Sequence, residues 1–315
     1  MWNRIRWAYY TIKSKVRWRF IRFVKEEQYY KKEHRYAGLV VHTNCFTSEW
    51  LYEKIEEGRP FMAGRFGLSE LFTMKAFECD ISDKKRKALD QLCLWSGFFP
   101  NQERMGERFL RQMTQACYDV DFLAVGYQAM EDYFIKEYMS KNTILAEFRC
   151  LEPWYDGQPW TRALKGKKVL VIHPFAETIN KQMLCRDRIF PGTEILPDCK
   201  VMTLKAVQTV AGQVDDRFTT WFDALDYMYN EAMNFDFDIA LIGCGAYGFP
   251  LAAKIKEAGK QAVHMGGMLQ VLFGIKGKRW DDDPIVSKFY NDYWVRPSEN
   301  EKPQKSSMVE NGCYW

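Results

Sequence analysis

Six ionisable side chains of this chain fall at or just beyond the ends of short apolar runs. Arg65 and Glu70 follow Phe61-Met62-Ala63, His173 and Glu177 follow Val169–Ile172, Lys205 follows Val201–Leu204, and His264 follows Gln261-Ala262-Val263. Glycines stand beside them: Gly64 and Gly67; Gly243 and Gly245, with Tyr247 and Gly248 behind; and the pair Gly266-Gly267. Cationic side chains and the free N–H groups of helix starts, gathered in one place, bind an anion such as a pyrophosphate. A carboxylate or imidazole next to that anion can take a proton from a hydroxyl. The groups can cooperate only if the apolar runs are parallel strands, because ligands of such sheets sit outside the carboxyl ends of the strands.

Plainer readings stand beside these. His173 precedes Pro174 and could do no more than satisfy a buried turn. Arg65 and Glu70 could form an ion pair in the core. Glu70 lies in the first turn of a helix, where the dipole alone favours a carboxylate. His264 resists such a reading, since the two glycines after it leave room for a ligand.

The elements that must position these residues alternate along the chain. Residues 47–58 read as a helix; "FMA" reads as a short strand that enters a glycine turn, with a helix from Ser69; and 83–118 read as two helices broken at "SGFFPN". "DFLAVG" is a strand ending at Gly126 with a helix behind it. "KKVLVIH", "CKVMTLKA", "FDIALIG" and "QAVH" are further strands, separated by helices from Ala176, across "TTWFDALDYMYNEAMN", and over Pro250–Ala258. Strands alternating with helices predict an α/β, Rossmann-like, mostly parallel sheet with helices on both faces. The expected division is a basic amphipathic helix over 1–37, the α/β domain over 38–283, and an extension over 284–315. Pro297–Ser307 is the expected mobile segment. The terminal Tyr314-Trp315 pair reads either as a frayed end or as packing over the site or on a neighbouring subunit, since two large rings are costly to leave in water.

Gly243-x-Gly245-x-x-Gly248, between a strand and a helix, has the spacing of a dinucleotide fingerprint. That fingerprint wants an acidic residue about 20 positions further on to hold a ribose hydroxyl; here the next strand ends at His264. Cys244 reads as a small residue that fits between two glycines, and Lys278–Pro284, "KRWDDDP", as a solvated turn or as carboxylates offered to a cation.

The chain of 315 residues is 47% apolar and 16% aromatic, enough for a sizeable core. Nine scattered cysteines, odd in number and without a C-x-x-C pair, argue against a disulfide framework or a zinc ribbon and fit a reducing compartment. The formal charge of +4 is uneven: residues 1–25 hold eight Lys/Arg and no acid, leaving 37 bases against 41 acids elsewhere. A nucleic-acid-binding surface is therefore not expected. Within the N-terminal run, Ile5, Ala8, Tyr9, Ile12, Val16, Phe20 and Phe23 form one helical stripe flanked by bases, and Trp2, Trp7 and Trp18 read as interfacial rings. This is the pattern of a helix lying in an anionic membrane surface through residues 2–25; the other reading is a basic helix packed on the domain or a partner. No apolar run of 18 residues and no apolar signal segment is seen.

"GRFGLSE" at Gly64–Glu70, "KKVLVIHPF" at Lys167–Phe175 and "GAYGFPLAAKIKEAGKQAVHMGG" at Gly245–Gly267 together resemble, in order and character, the GT-D-fold glycosyltransferases. These are bacterial enzymes of surface-glycan and glycoprotein assembly. The resemblance spans residues 61–267 and implies a transferase that moves a sugar from a nucleotide-sugar donor to a glycan or lipid-linked acceptor. It implies donor contacts from Arg65, Gly67, His173, Lys205, Gly243, Gly245, Tyr247, Gly266 and Gly267. A catalytic base is expected from Glu70 first, then His264 or Glu177. The family carries an Asp-x-Glu metal motif where this chain has Leu68-Ser69-Glu70. A leucine cannot coordinate a cation, so Mg²⁺ or Mn²⁺ would be held by Glu70 with phosphates and waters, or not used. Where the family has an Asp-Ile-Gly-His segment, this chain has His264-Met265-Gly266-Gly267. The basic N-terminal helix, outside the span of the resemblance, gives such an enzyme its expected location: the cytoplasm, peripheral at the inner face of the cell membrane. Two rivals are a catalytically silent membrane-associated scaffold of a glycan-assembly complex and an NAD(P)-dependent oxidoreductase.

Overall fold

A computed structural model describes residues 1–24 and 31–315; Lys25, the last base of the N-terminal run, lies outside the described residues. The strands are β1 (His34–Tyr36), β2 (Leu39–His42), β3 (Phe61–Gly64), β4 (Phe122–Val125), β5 (Ile144–Glu147), β6 (Lys168–His173), β7 (Lys200–Lys205), β8 (Ile239–Ile242) and β9 (Gln261–His264). They form one sheet in the order β1-β2-β5-β4-β3-β9-β8-β6-β7. Every pairing is parallel except β1 with β2.

The strands' residues explain the layering. Along β6, Leu170 and Ile172 belong to one apolar cluster while Val169 and Val171 belong to another. Along β3, Met62 and Phe61/Ala63 divide the same way. Alternate side chains point to opposite faces, so apolar residues at every position require cover on both. The helices α1 (Trp2–Phe23), α2 (Asn44–Glu57), α3 (Leu68–Glu78), α4 (Ser82–Ser96), α5 (Glu103–Cys117), α6 (Glu131–Tyr138), α7 (Ala176–Met183), α8 (Arg186–Ile189), α9 (Trp221–Met233), α10 (Gly248–Glu257), α11 (Leu269–Leu272) and α12 (Lys278–Asp281) supply that cover. The fold is thus α/β, Rossmann-like and mostly parallel. Truncating a fully buried strand residue such as Leu170 to alanine is expected to cost about 2–5 kcal/mol.

The chain runs from β3 through β4 to β5 in one direction and builds β9, β8, β6 and β7 on the other side of β3. Strand β6 sends its connection outward to β7 while its neighbour β8 sends its own the opposite way to β9, so the winding reverses between β8 and β6, the kind of place where parallel α/β sheets open a crevice.

Helix α1 packs against the body by one side. Arg6 donates to the Glu78 carboxylate at 2.9 Å, Lys13 pairs with Asp132, Ser14 donates to the Tyr127 carbonyl at 2.8 Å, and Arg17 lies over the Tyr36 ring at 4.8 Å. Trp7 packs edge-on against Phe72 and beneath Lys75, and Trp18 against Tyr127. This corrects part of the sequence reading. Trp7, Trp18 and the bases Arg6, Lys13 and Arg17 turn inward because the body offers carboxylates and rings at matching places, and only Trp2 of the three tryptophans stays well exposed.

The segment Pro297–Ser307 is also tied down. Glu301 is buried and accepts from the backbone N–H of Glu177 at 2.8 Å and from the Thr178 hydroxyl, which satisfies the start of α7.

Candidate functional site

A cavity of about 600 Å³ opens along the carboxyl edge of the sheet. Six strands send their ends to it, through Arg65, Gly126, Glu147, His173, Gly243 and His264. Its size is that of sites that enclose a small organic ligand. The described residues contain six buried polar side-chain atoms with no hydrogen-bond partner, and four belong to residues lining this cavity: Arg65 Nη1, His264 Nδ1, Gln270 Oε1 and Trp315 Nε1. Buried polar atoms are nearly always satisfied in folded proteins; His264 Nδ1 is closed off against Gly248, and for the others, Arg65 Nη1 first, a water or a ligand is the available partner.

Arg65 is the centre of it. Its side chain is 12% exposed, its guanidinium lies 4.4 Å over the Phe148 ring, and Nη1 stands 3.8 Å from Glu152 Oε1, too far for a direct hydrogen bond. Burial lowers the guanidinium's affinity for its proton, and the Glu152 charge opposes that. The backbone makes room for it: Gly266 has φ +71, and a Cβ there would come within 3.2 Å of Arg65 Nη2.

Glu152 follows β5 in a run of 3₁₀ turns. Burial raises its carboxyl pKa to about 7, with Arg65 and Arg149 pulling the other way and Glu147 and Asp283 adding to the rise. Glu131, in the first turn of α6, is also raised to about 7 by burial, even though it accepts from the Gly126 and Gln128 amides at 2.9 and 3.1 Å. Glu70 is buried, and desolvation raises its pKa too. It folds back over its own helix start: Ser69 donates to Oε2 at 2.8 Å, and a side chain at Gly67 would overlap the carboxylate.

The cavity gathers nine of the expected site residues: Arg65, Gly67, Glu70, His173, Gly243, Gly245, His264, Gly266 and Gly267. Three lie outside it. Lys205 and Glu177 form an exposed pair at 3.0 Å, Asn300 also donates to Glu177 at 2.8 Å, and these partners hold the Glu177 pKa below its ordinary value. They sit at the far margin of the sheet because β7 is its last strand. Tyr247 is buried and stacks on Trp221, centroids 4.9 Å apart and planes within 10°. A capping box between Thr220 and Asp223 fixes the start of α9 and so the position of Trp221. Tyr247 therefore has no face left for a ligand.

Two residues inside the cavity have chemistry other than expected. Burial drives His264 down to a pKa of about 3, and its Nδ1 packs so tightly on Gly248 that a side chain there would overlap the ring. A group so reluctant to hold a proton is a poor general base at neutral pH. His173 is also driven to about 3 by burial, and Nδ1 accepts from the Phe175 amide at 3.0 Å. It is a neutral imidazole that shapes the turn.

The donor set does not fit a protein-held cation. Leu68 stands exposed at the motif's first position, the nearby carboxylate of Glu70 is engaged by Ser69, and no three His, Cys, Asp or Glu side chains converge among the described residues.

Glu131 and Glu152, both lining the cavity, escaped the sequence reading. Glu152 follows β5, a strand whose four residues Ile144–Glu147 carry a weak signal. Tyr314 and Trp315 form a wall: Tyr314 packs on Gly267, its hydroxyl accepts from Arg279 at 3.2 Å, and its carbonyl accepts from Gln270 at 3.0 Å. Of the readings left open for the C-terminal pair, packing over the site is the one that the geometry matches.

No protein-family model and no curated protein matches the chain. Two solved structures are similar to it at a low level. One is a selenomethionine-substituted structure of domain of unknown function 1792, 11% identical, with a TM-score of 0.37, covering 72% of this chain and 83% of that one. The other, 14% identical with a TM-score of 0.37 and covering 71% and 82%, is described as showing that the highly conserved domain of unknown function 1792 has a distinct glycosyltransferase fold.

Proposed function

We propose that this chain is a glycosyltransferase that moves a sugar from a nucleotide-sugar donor to a hydroxyl acceptor of a surface glycan or lipid-linked intermediate. The observation that carries the reading is the buried Arg65 guanidinium, with Nη1 unpartnered, lining a cavity that runs along the carboxyl ends of the parallel strands as far as the β8/β6 reversal. A diphosphate would supply the oxygens that Nη1 lacks, by charge-assisted hydrogen bonds. Displacing the donor's nucleotide breaks the bond between the anomeric carbon and a phosphate oxygen. The charge growing on that oxygen is what Arg65 stabilises. The new bond joins the acceptor oxygen to the anomeric carbon, and the acceptor's proton passes to a carboxylate. Glu152 suits that role better than Glu70, because a base with a pKa of about 7 is half ionised near neutrality and its oxygens are not engaged by a serine. No step is assigned to a metal.

The experiment is a thermal-shift panel of UDP, GDP, CMP and dTDP sugars against the wild type and Arg65→Ala. A ligand that binds only the folded chain raises its melting temperature. One nucleotide series should stabilise the wild type and not Arg65→Ala; equal stabilisation of both overturns the donor site. Leu68 favours a second reading, a silent scaffold that binds donor without turning it over. Binding with no sugar transfer to any hydroxyl acceptor would support that reading.

A further inference from the structure

Helix α1 has two sides with opposite demands. The inward side is fully engaged with the body through Arg6, Lys13, Ser14 and Arg17. The outward side carries Ile5, Tyr9, Ile12, Val16 and Phe23, at 50%, 56%, 59%, 62% and 85% exposure. Their spacings of four, three, four and seven residues put them on a single face. Alongside this stripe run the exposed bases Lys15, Arg19 and Arg22, and residues 1–25 contain no acid. No helix among the described residues is long and apolar enough to cross a membrane.

We infer that the outer face of α1 lies along an anionic phospholipid surface while its inner face stays bonded to the body. Charge complementarity selects this occupant. A stripe facing a second copy would bring one basic row against another, whereas anionic headgroups neutralise the row as the stripe enters the acyl boundary. The consequence reaches the cavity. Trp18, on the inward side of the same helix, lines it. The cavity wall then stands about 10 Å, one helix diameter, from the lipid surface. On the glycosyltransferase reading, on which this last step alone rests, the acceptor is a hydroxyl of a membrane-anchored molecule.

The test is co-sedimentation of the full chain with vesicles of phosphatidylcholine alone or mixed with phosphatidylglycerol. The wild type should sediment with the mixed vesicles and remain in solution with the neutral ones. Ile12→Asp with Val16→Asp should reduce partitioning at least about tenfold, and Arg19→Ala with Arg22→Ala by about thirtyfold, since each base near an anionic surface is worth about fivefold. Both pairs replace exposed side chains, so circular dichroism should be unchanged. Wild type left in the supernatant, or an Ile12→Asp/Val16→Asp protein that sediments like wild type, overturns the inference. So does a wild-type dimer by analytical ultracentrifugation that ignores vesicles and is dissociated by the same pair. Nucleotide-sugar thermal shifts on the variants separate the two claims. Lost vesicle binding with an intact shift marks the lipid face and leaves the donor site standing, and vesicle binding by a chain that no donor stabilises would retire the donor site alone.

Discussion

Two places on the carboxyl edge of one sheet carry a cation beside a carboxylate, and they differ in every physical respect. At the middle, where Arg65 follows β3 and the segment after β5 brings in Glu152, the two are buried, 3.8 Å apart and incompletely satisfied. At the margin, beyond β7, Lys205 and Glu177 are half exposed, 3.0 Å apart and shared with Asn300. The marginal pair has what it needs and is screened by water, so it contributes little. The central pair has left the water without replacing all its hydrogen bonds, an arrangement that costs stability and that a ligand would relieve. A charge at a strand's end is thus a site only where the topology buries it and the neighbours leave it unmet.

Four experiments would break or sharpen this contrast. The largest effect belongs to Glu152→Gln, expected to lower kcat by at least about a hundredfold while donor binding persists. In the wild type, activity should rise with pH across about 7 as Glu152 ionises; a profile of the same shape in a residually active Glu152→Gln would move the base elsewhere. Next is Arg65→Ala, expected to weaken donor binding by about a hundredfold, the worth of lost hydrogen bonds between charged groups. Third is the pH dependence of stability. Glu131 and Glu152 hold their protons up to about 7 in the folded chain against an ordinary 4.5, so the folded state binds more protons between those values. Their contribution is present in full below about pH 4.5 and lost as pH rises through 7. The melting temperature should carry this falling component, and Glu131→Gln with Glu152→Gln should flatten it. The smallest effect is expected at the margin: Lys205→Ala and Glu177→Ala should leave melting temperature and donor affinity unchanged, the latter within about twofold.

The same contrast shows what the sequence could convey. Apolar runs bounded by glycine and proline revealed β3, β4, β6, β7, β8 and β9, because strands covered on both faces need unbroken apolar stretches. They also revealed the helices around Ser82–Ser96, Glu103–Cys117 and Trp221–Met233. Strands β1, β2 and β5 went unread; they are three or four residues long and only partly buried, so no run stands out. Without β5, the segment that follows it with Glu152 had no place at the edge. Lys205 and Glu177 were grouped with Arg65 because strand ends were legible and strand order was not. Tyr247 was read as facing a ligand because nothing local reports Trp221 stacked against it. The C-terminal rings, far from Gly267 in the chain, reach it only through the fold.

The central claim is that the donor's diphosphate is held at the middle of the edge by Arg65. A crystal structure of the full chain with the nucleotide sugar that stabilises it most tests this directly. The account predicts a phosphate oxygen within hydrogen-bonding distance of Arg65 Nη1, the sugar directed toward Glu152, and Lys205 still paired with Glu177. A diphosphate bound at Lys205, or anywhere that leaves Arg65 Nη1 without a partner, would contradict it.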